Sequence, residues 1–111
     1  MTQPFTGIRI LDFTQVFAGP YASFQLAMLG ADVIKVEKPG GEEMRMNNGK
    51  IGPKGDQTSP MFMAANGNKR GICLDLKDPK AIAAVKRLAA NVDVVMENFR
   101  PGVMDRLGIG W

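Results

Sequence analysis

The sequence predicts an α/β fold with a Rossmann-like, doubly wound and mostly parallel sheet. Two observations carry this prediction: apolar runs of strand length recur along the chain, and helical segments separate most of them. Strands joined through a helix run parallel with a right-handed crossover. The 111 residues, 45% of them hydrophobic and 23% charged, suffice for one modest domain.

The first predicted unit is a strand, a helix and a second strand. Residues 8–13 form a mostly apolar strand, and Pro20 suits the first turn of a helix over residues 21–29. Nearly every position of that helix is apolar or small, so we expect it to be covered on most sides. Gly30 predicts the end of this helix, because helices commonly end at a glycine in the left-handed conformation. Apolar and charged residues alternate over residues 32–37, which predicts the second strand.

The second half repeats this layout after a long connection. Residues 38–68 are rich in glycine, proline, asparagine and charge, which predicts a poorly ordered loop with one short helix near Met61. A third strand is predicted over residues 71–76. Asp78 is a candidate N-cap for an amphipathic helix over residues 80–90, and a fourth strand follows at 92–97.

Composition excludes several classes of function. The 14 basic and 11 acidic residues give a net charge of +3, which permits anionic ligands, but without a dense basic block we expect no nucleic-acid partner. A single cysteine and the absence of histidine argue against a disulfide framework and common metal sites. We expect Cys73 to be buried. No stretch is long and apolar enough to span a bilayer, so we expect a cytoplasmic protein without a membrane partner.

Several polar groups follow the predicted strands at the edge where open α/β sheets bind ligands. Asn98, Phe99, Arg100 and Arg106 follow the fourth strand, and together they predict a site for a phosphorylated ligand with a stackable ring.

Three further segments carry groups of the same kind. Glu37 lies where dinucleotide folds place a ribose-binding carboxylate, and Lys38 after it suits a phosphate. Residues 68–70 form a small basic group, and the turn at 15–20 leads into a helix whose amides favour an anion. Taken singly, each is equally compatible with a structural turn or a solvated charge. Neither the glycine fingerprint of dinucleotide folds nor a phosphate loop is present, which weakens nicotinamide, flavin and ATP interpretations.

The motifs at residues 16–20, 29–37, 68–70, 74–77 and 97–102 resemble, in order and at compatible spacing, those of the class III CoA-transferase family. That family includes formyl-CoA, carnitine and bile-acid-inducible CoA-transferases and α-methylacyl-CoA racemase. The resemblance implies that residues 1–111 are the amino-terminal, CoA-binding segment of a larger two-domain enzyme. It further implies an interlocked homodimer that acts on an acyl-CoA and a carboxylic acid, with CoA as a substrate and no permanently bound cofactor.

The resemblance also implies a set of CoA-contacting residues. Phe17 and Ala18 are expected at the thioester end, and Lys38 is the basic group that faces the nucleotide. The segment at the adenine is Leu74, Asp75, Leu76 and Lys77. The second loop that holds CoA is Asn98, Phe99 and Arg100, and Arg106 is the arginine that contacts a phosphate.

Two departures from the family pattern bear on the reaction. Members of the formyl-CoA:oxalate type carry histidine and glutamine at the positions of Gln15 and Phe17, so the resemblance favours an acyl group larger and less polar than formyl. The family's nucleophilic aspartate, which forms an anhydride with the acyl group, lies beyond Trp111. We therefore predict no catalytic residue and no metal ligand within the chain. The alternative interpretations are a relative of acyl-CoA racemase, a non-catalytic nucleotide-binding module and a fragment of a dehydrogenase.

Overall fold

Four parallel strands form one sheet in the order β3-β2-β1-β4. The computed structural model describes residues 2–45 and 59–110. The strands are β1 (Arg9–Asp12), β2 (Asp32–Glu37), β3 (Arg70–Cys73) and β4 (Val94–Met96). The helices are α1 (Ala18–Met28), α2 (Pro60–Asn66), α3 (Pro79–Ala89) and α4 (Val103–Arg106), with a 3-10 turn at Glu43–Arg45.

The sheet is doubly wound, as predicted. After β1 the chain adds β2 and then β3 on one side, and α3 then carries it back to place β4 on the other side of β1. The order of strands therefore reverses between β1 and β4. In open α/β sheets, a ligand-binding crevice lies outside the carboxyl ends of the strands at such a switch point.

Two apolar cores flank the sheet. On the face that α1 covers, Ile10 and Val33 pack with Ala27. On the opposite face, Leu11 and Phe13 pack with Val85 of α3. Neighbouring residues of β1 alternate between the two cores because successive side chains of a strand point to opposite faces.

The elements differ from their predicted bounds at their ends. Helix α1 begins at Ala18, three residues before the predicted start, and it retains Pro20 in its first turn. Strand β3 ends at Cys73, which pairs with Glu37, where β2 also ends. The amide of Leu74 makes one further hydrogen bond to the Glu37 carbonyl oxygen, at 2.9 Å, and the predicted continuation to residue 76 then leaves the sheet as a turn.

Two expectations about burial were wrong. Cys73 is exposed, because β3 is an edge strand with only residue 72 packed against the core. Helix α1 buries only Pro20, Ser23 and Ala27, while Tyr21 and Met28 are exposed. Although its sequence is largely apolar, the described part of the chain therefore does not cover this helix on most sides.

The long connection is described only in part. Its first residues form the 3-10 turn, and α2 confirms the short helix near Met61. Ser59 caps α2 by accepting a hydrogen bond from the amide of Phe62. The prediction of poor order for residues 46–58 lies outside the described residues. No helix in the ranges 2–45 and 59–110 is long and apolar enough to cross a membrane.

Candidate functional site

A cleft opens at the carboxyl ends of β1, β2 and β4. Its volume is about 160 Å³. It brings together five of the residues expected to contact CoA, which are Lys38, Asp75, Leu76, Lys77 and Phe99. The apolar floor comes from Phe13 and Val36, which also belong to the core on the α3 face. Residues far apart in sequence thus meet at the edge of the sheet predicted to bind the ligand.

The cleft continues into a shallower groove of about 450 Å³ that reaches Arg106. Leu76, Lys77 and Leu107 line both spaces, so the two form one continuous surface. Three cations therefore lie along it, at Lys38, Lys77 and Arg106. Within the described residues none of the three takes part in an ion pair. A row of unpaired cations suits a ligand that carries several phosphates.

The turn between β3 and α3 is fixed by two aspartates. The carboxylate of Asp75 accepts a hydrogen bond from the amide of Lys77 at 3.1 Å, and that of Asp78 caps α3 through the amide of Lys80 at 2.9 Å. Leu74 packs toward the core and does not line the groove. The side chain of Leu76 also contacts the core, which anchors the turn that carries Lys77.

The loop after β4 contributes a partly exposed ring. The centroid of Phe99 lies 6.5 Å from that of Phe13, with the ring planes tilted by 51°. The amide of Phe99 donates to the carboxylate of Glu97 at 2.9 Å. Arg100 is exposed and lines neither the cleft nor the groove.

Asn98 bonds to the protein's own backbone. Its Nδ2 donates to the carbonyl oxygen of Gln15 at 2.8 Å, and its Oδ1 accepts from the amide of Gln15 at 2.9 Å. This pair of hydrogen bonds ties the loop after β4 to the loop after β1. The observed contacts of Asn98 are therefore structural.

The loop after β1 ends in a strained residue and an exposed ring. Val16 has a φ of +72°, which is rare for a β-branched residue. Phe17 follows as the residue before α1, is 37% exposed, and stacks on Tyr21 with centroids 5.6 Å apart. No side chain caps the first turn of α1, and no acidic residue lies in it. Phe17 and Ala18 lie together there, outside the residues that line the groove.

Glu37 is neither a solvated charge nor a free ribose ligand. Arg45 donates to both of its carboxylate oxygens, each at 2.7 Å. Burial alone would raise the pKa of Glu37, but the hydrogen bonds from Arg45 and the Glu42 amide outweigh it, so the pKa lies below its ordinary value. The hydrogen bonds between Arg45 and Glu37 also raise the pKa of Arg45. This pair fixes the turn after β2.

Two buried ion pairs lie beneath the site on the α1 face. Lys69 Nζ is 3.1 Å from Asp12 Oδ2, and Lys35 Nζ is 2.9 Å from Glu42 Oε2. All four side chains are at most 3% exposed. Burial lowers the pKa of Lys69, and the charge of Asp12 opposes that shift only in part. We call these four residues the ionic layer.

The basic group at residues 68–70 is therefore not available to a phosphate. Lys69 belongs to the ionic layer, and Arg70 pairs with Asp32 at 2.7 Å on the surface. The ionic layer was not predicted from the sequence, although one signal indicates it. Lys35 alternates with Ile34 and Val36, so it shares a face with the buried Val33. No cluster of three metal-ligating side chains occurs in the described parts of the chain.

Known proteins resemble this chain over almost its whole length. The family described as CoA-transferase family III matches residues 5–111. Succinyl-CoA:glutarate CoA-transferase of Mus musculus is 45% identical over 98% of the chain and 24% of its own length. Formyl-CoA:oxalate CoA-transferase of Bradyrhizobium diazoefficiens is 46% identical over 100% of the chain and 26% of its own length.

Solved structures share the fold. A CAIB/BAIF family protein from Brucella suis superposes with a TM-score of 0.92 at 36% identity, over 100% of this chain and 30% of that one. A protein from Mycobacterium tuberculosis superposes with a TM-score of 0.88 at 44% identity, over 98% of this chain and 30% of that one. The chain spans about a quarter of the length of the curated relatives it matches.

Proposed function

We propose, since this chain belongs to CoA-transferase family III, that it supplies the CoA-binding sheet of an enzyme that transfers CoA between an acyl-CoA and a carboxylic acid. The observation that carries the proposal is the groove at the switch point, with Lys38, Lys77 and Arg106 along it and Phe99 in its wall. The ligand chemistry that fits a row of cations beside an aromatic ring is a phosphorylated nucleotide.

The orientation that we propose places the nucleotide and the acyl group at opposite ends. The phosphates contact the cations of the groove, and the adenine lies against the turn from Asp75 to Lys77. The thioester lies toward Phe17 and Ala18, where the uncapped first turn of α1 offers backbone amides to a carbonyl oxygen. The relatives named above act on formyl-CoA with oxalate and on succinyl-CoA with glutarate. The bulk of Phe17 favours an acyl group larger than formyl.

The reaction that we propose proceeds through an aspartyl anhydride. A carboxylate oxygen attacks the thioester carbonyl carbon, the carbon–sulfur bond breaks, and CoA leaves as a thiolate. The attacking aspartate lies outside residues 1–111. The part of this chain is to hold CoA while the acyl group is carried on the enzyme. The same proposal includes a cytoplasmic, homodimeric enzyme.

Calorimetric titration with CoA, followed by transfer assays, tests this function in the protein that contains this chain. We expect CoA to bind in a salt-sensitive manner, because phosphate contacts are screened by ions. The transfer panel pairs formyl-CoA with oxalate and succinyl-CoA with glutarate, with bulkier acyl-CoA donors beside them. Absence of CoA binding, or racemisation of a branched acyl-CoA without transfer, would overturn the proposal.

A further inference from the structure

The polar backbone groups of two consecutive residues are all held by side chains from elsewhere. The amide of Thr14 donates to Asp12 Oδ1 at 2.9 Å, and its carbonyl oxygen accepts from Lys35 Nζ at 2.9 Å. The amide and carbonyl of Gln15 are both bonded to Asn98. The three holding residues come from β1, from β2 and from the loop after β4, so three adjacent strands fix this one turn.

The next residue is the strained Val16. A β-branched residue at positive φ is strained and keeps this conformation only when its surroundings determine it. The side chain of Val16 is 55% exposed, so packing of that side chain does not impose the conformation. The constraint comes from the turn before it, which the three side chains hold. Such strain concentrates at functional sites.

Two of the side chains that hold this turn, Asp12 and Lys35, are themselves bonded to buried groups. Asp12 also accepts from Thr14 Oγ1 and from Ser23 Oγ, each at 2.5 Å, in addition to Lys69. Lys35 is paired with Glu42 and is 3% exposed, so it cannot reach a ligand in the groove. Any effect of Lys35 on a reaction must therefore pass through the backbone that it holds.

We infer that Asp12, Lys35 and Asn98 are positioning residues, which hold the turn from Thr14 to Val16 so that the backbone of residues 17 and 18 faces the thioester. This inference rests on the proposed function. It separates two tasks at the site: the groove cations bind CoA, whereas Asp12, Lys35 and Asn98 set the geometry of the reacting end.

The test compares two variants that differ only at residue 35. Glu42→Gln leaves Lys35 bonded to the Thr14 carbonyl but without its buried partner. Adding Lys35→Met removes both that bond and the unpaired charge, so relief of the charge opposes the loss of kcat that the missing bond is expected to cause. We expect the double variant to have a kcat about 10- to 100-fold below that of Glu42→Gln, since small misplacements at a reacting centre have effects of this size. The KM for the acyl-CoA and the Kd for free CoA should change by less than about two-fold.

Amide hydrogen exchange gives a readout that needs no substrate. The amides of Thr14 and Gln15, which are hydrogen-bonded in this turn, should exchange faster in the double variant than in Glu42→Gln, while those of the core strand β2 should not. Equal kcat and equal exchange in both variants would overturn the positioning role, as would a loss of CoA affinity as large as the loss of kcat. If the wild-type protein does not bind CoA, the proposed function fails, but the exchange comparison still decides whether Lys35 holds the turn.

A second pair of variants covers the case in which the double variant does not fold. Asn98→Ala removes both hydrogen bonds to Gln15, whereas Asn91→Ala removes an equivalent side-chain bond to the Arg87 carbonyl, at the amino end of β4. Faster exchange at both Gln15 and Thr14 in Asn98→Ala alone supports the inference. The same exchange in both variants contradicts it.

Discussion

Arg45 donates two hydrogen bonds of 2.7 Å to the carboxylate of Glu37, and its guanidinium lies 3.9 Å from the centroid of the Phe62 ring. This contact joins the end of β2 to α2, across the stretch of chain at residues 46–58. The pair therefore has a consequence for the stability of the protein in acid.

Glu37 should make the fold lose stability as the pH falls. Its pKa in the folded state lies below its ordinary value of 4.5, so its contribution is present above pH 4.5 and is lost as the pH falls through the folded pKa. Urea unfolding of the protein and of Glu37→Gln, measured as a pH series, should show the stability difference shrinking on acidification. The control is Glu43→Gln, since Glu43 is exposed in the same turn. A difference that is constant across the series would contradict the prediction.

Asp12 and Lys69 should be strongly coupled. Removing one partner of a buried ion pair leaves an uncompensated charge and costs roughly 3–5 kcal/mol. We therefore expect the double variant Asp12→Asn/Lys69→Met to lose less stability than the sum of the losses in Asp12→Asn and Lys69→Met. Urea unfolding of the two single variants and the double variant completes the cycle. Arg70→Met, which breaks an exposed pair with Asp32, should cost less than about 1 kcal/mol. Additive costs for Asp12 and Lys69 would show that the pair is not coupled.

Arg106→Ala should weaken CoA binding by roughly 1.5–3 kcal/mol, the range for a hydrogen bond to a charged group. Added salt should narrow the difference between wild type and variant, because screening weakens the contact in the wild type. Calorimetric titration measures both effects. Arg70→Ala is the matched control, because Arg70 lies at the opposite end of the strands and is paired with Asp32. Unchanged affinity in Arg106→Ala would remove its phosphate contact from the proposed site.

Phe17→Gln should change the preference for the acyl group and leave the affinity for CoA largely intact. The side chain lies at the start of α1, outside the residues that line the groove. Competition assays with formyl-CoA, succinyl-CoA and bulkier acyl-CoA compounds measure the preference, and Phe17→Leu controls for loss of the ring alone. An identical acyl profile in wild type and Phe17→Gln would remove the substrate argument.

The sequence predicted the sheet and the edge that carries the site because both follow from local pattern. Apolar runs of strand length, the stop at Gly30 and the cap at Asp78 are short-range signals, and they locate the strands within a few residues. The carboxyl ends of parallel strands then converge without further information, which explains why Lys38, Lys77 and Phe99 meet in one cleft.

The roles of Lys69, Asn98 and Glu37 could not be read in the same way. Each is a polar residue near a strand end, and sequence pattern does not distinguish a charge that faces solvent from one paired with a distant residue. The partner of Lys69 is 57 positions away, and that of Asn98 is 83 positions away. Only the strand order brings these partners together.

The long separation between the members of the ionic layer also bears on how the protein folds. A contact between Asp12 and Lys69 cannot form until β1, β2 and β3 have been assembled in order, because closing so long a loop costs entropy before the contact contributes. Asp12 also accepts a hydrogen bond from the amide of Thr14. We therefore expect the turn at Thr14 to take its final shape late in folding, so a partly folded chain with secondary structure intact would still lack it.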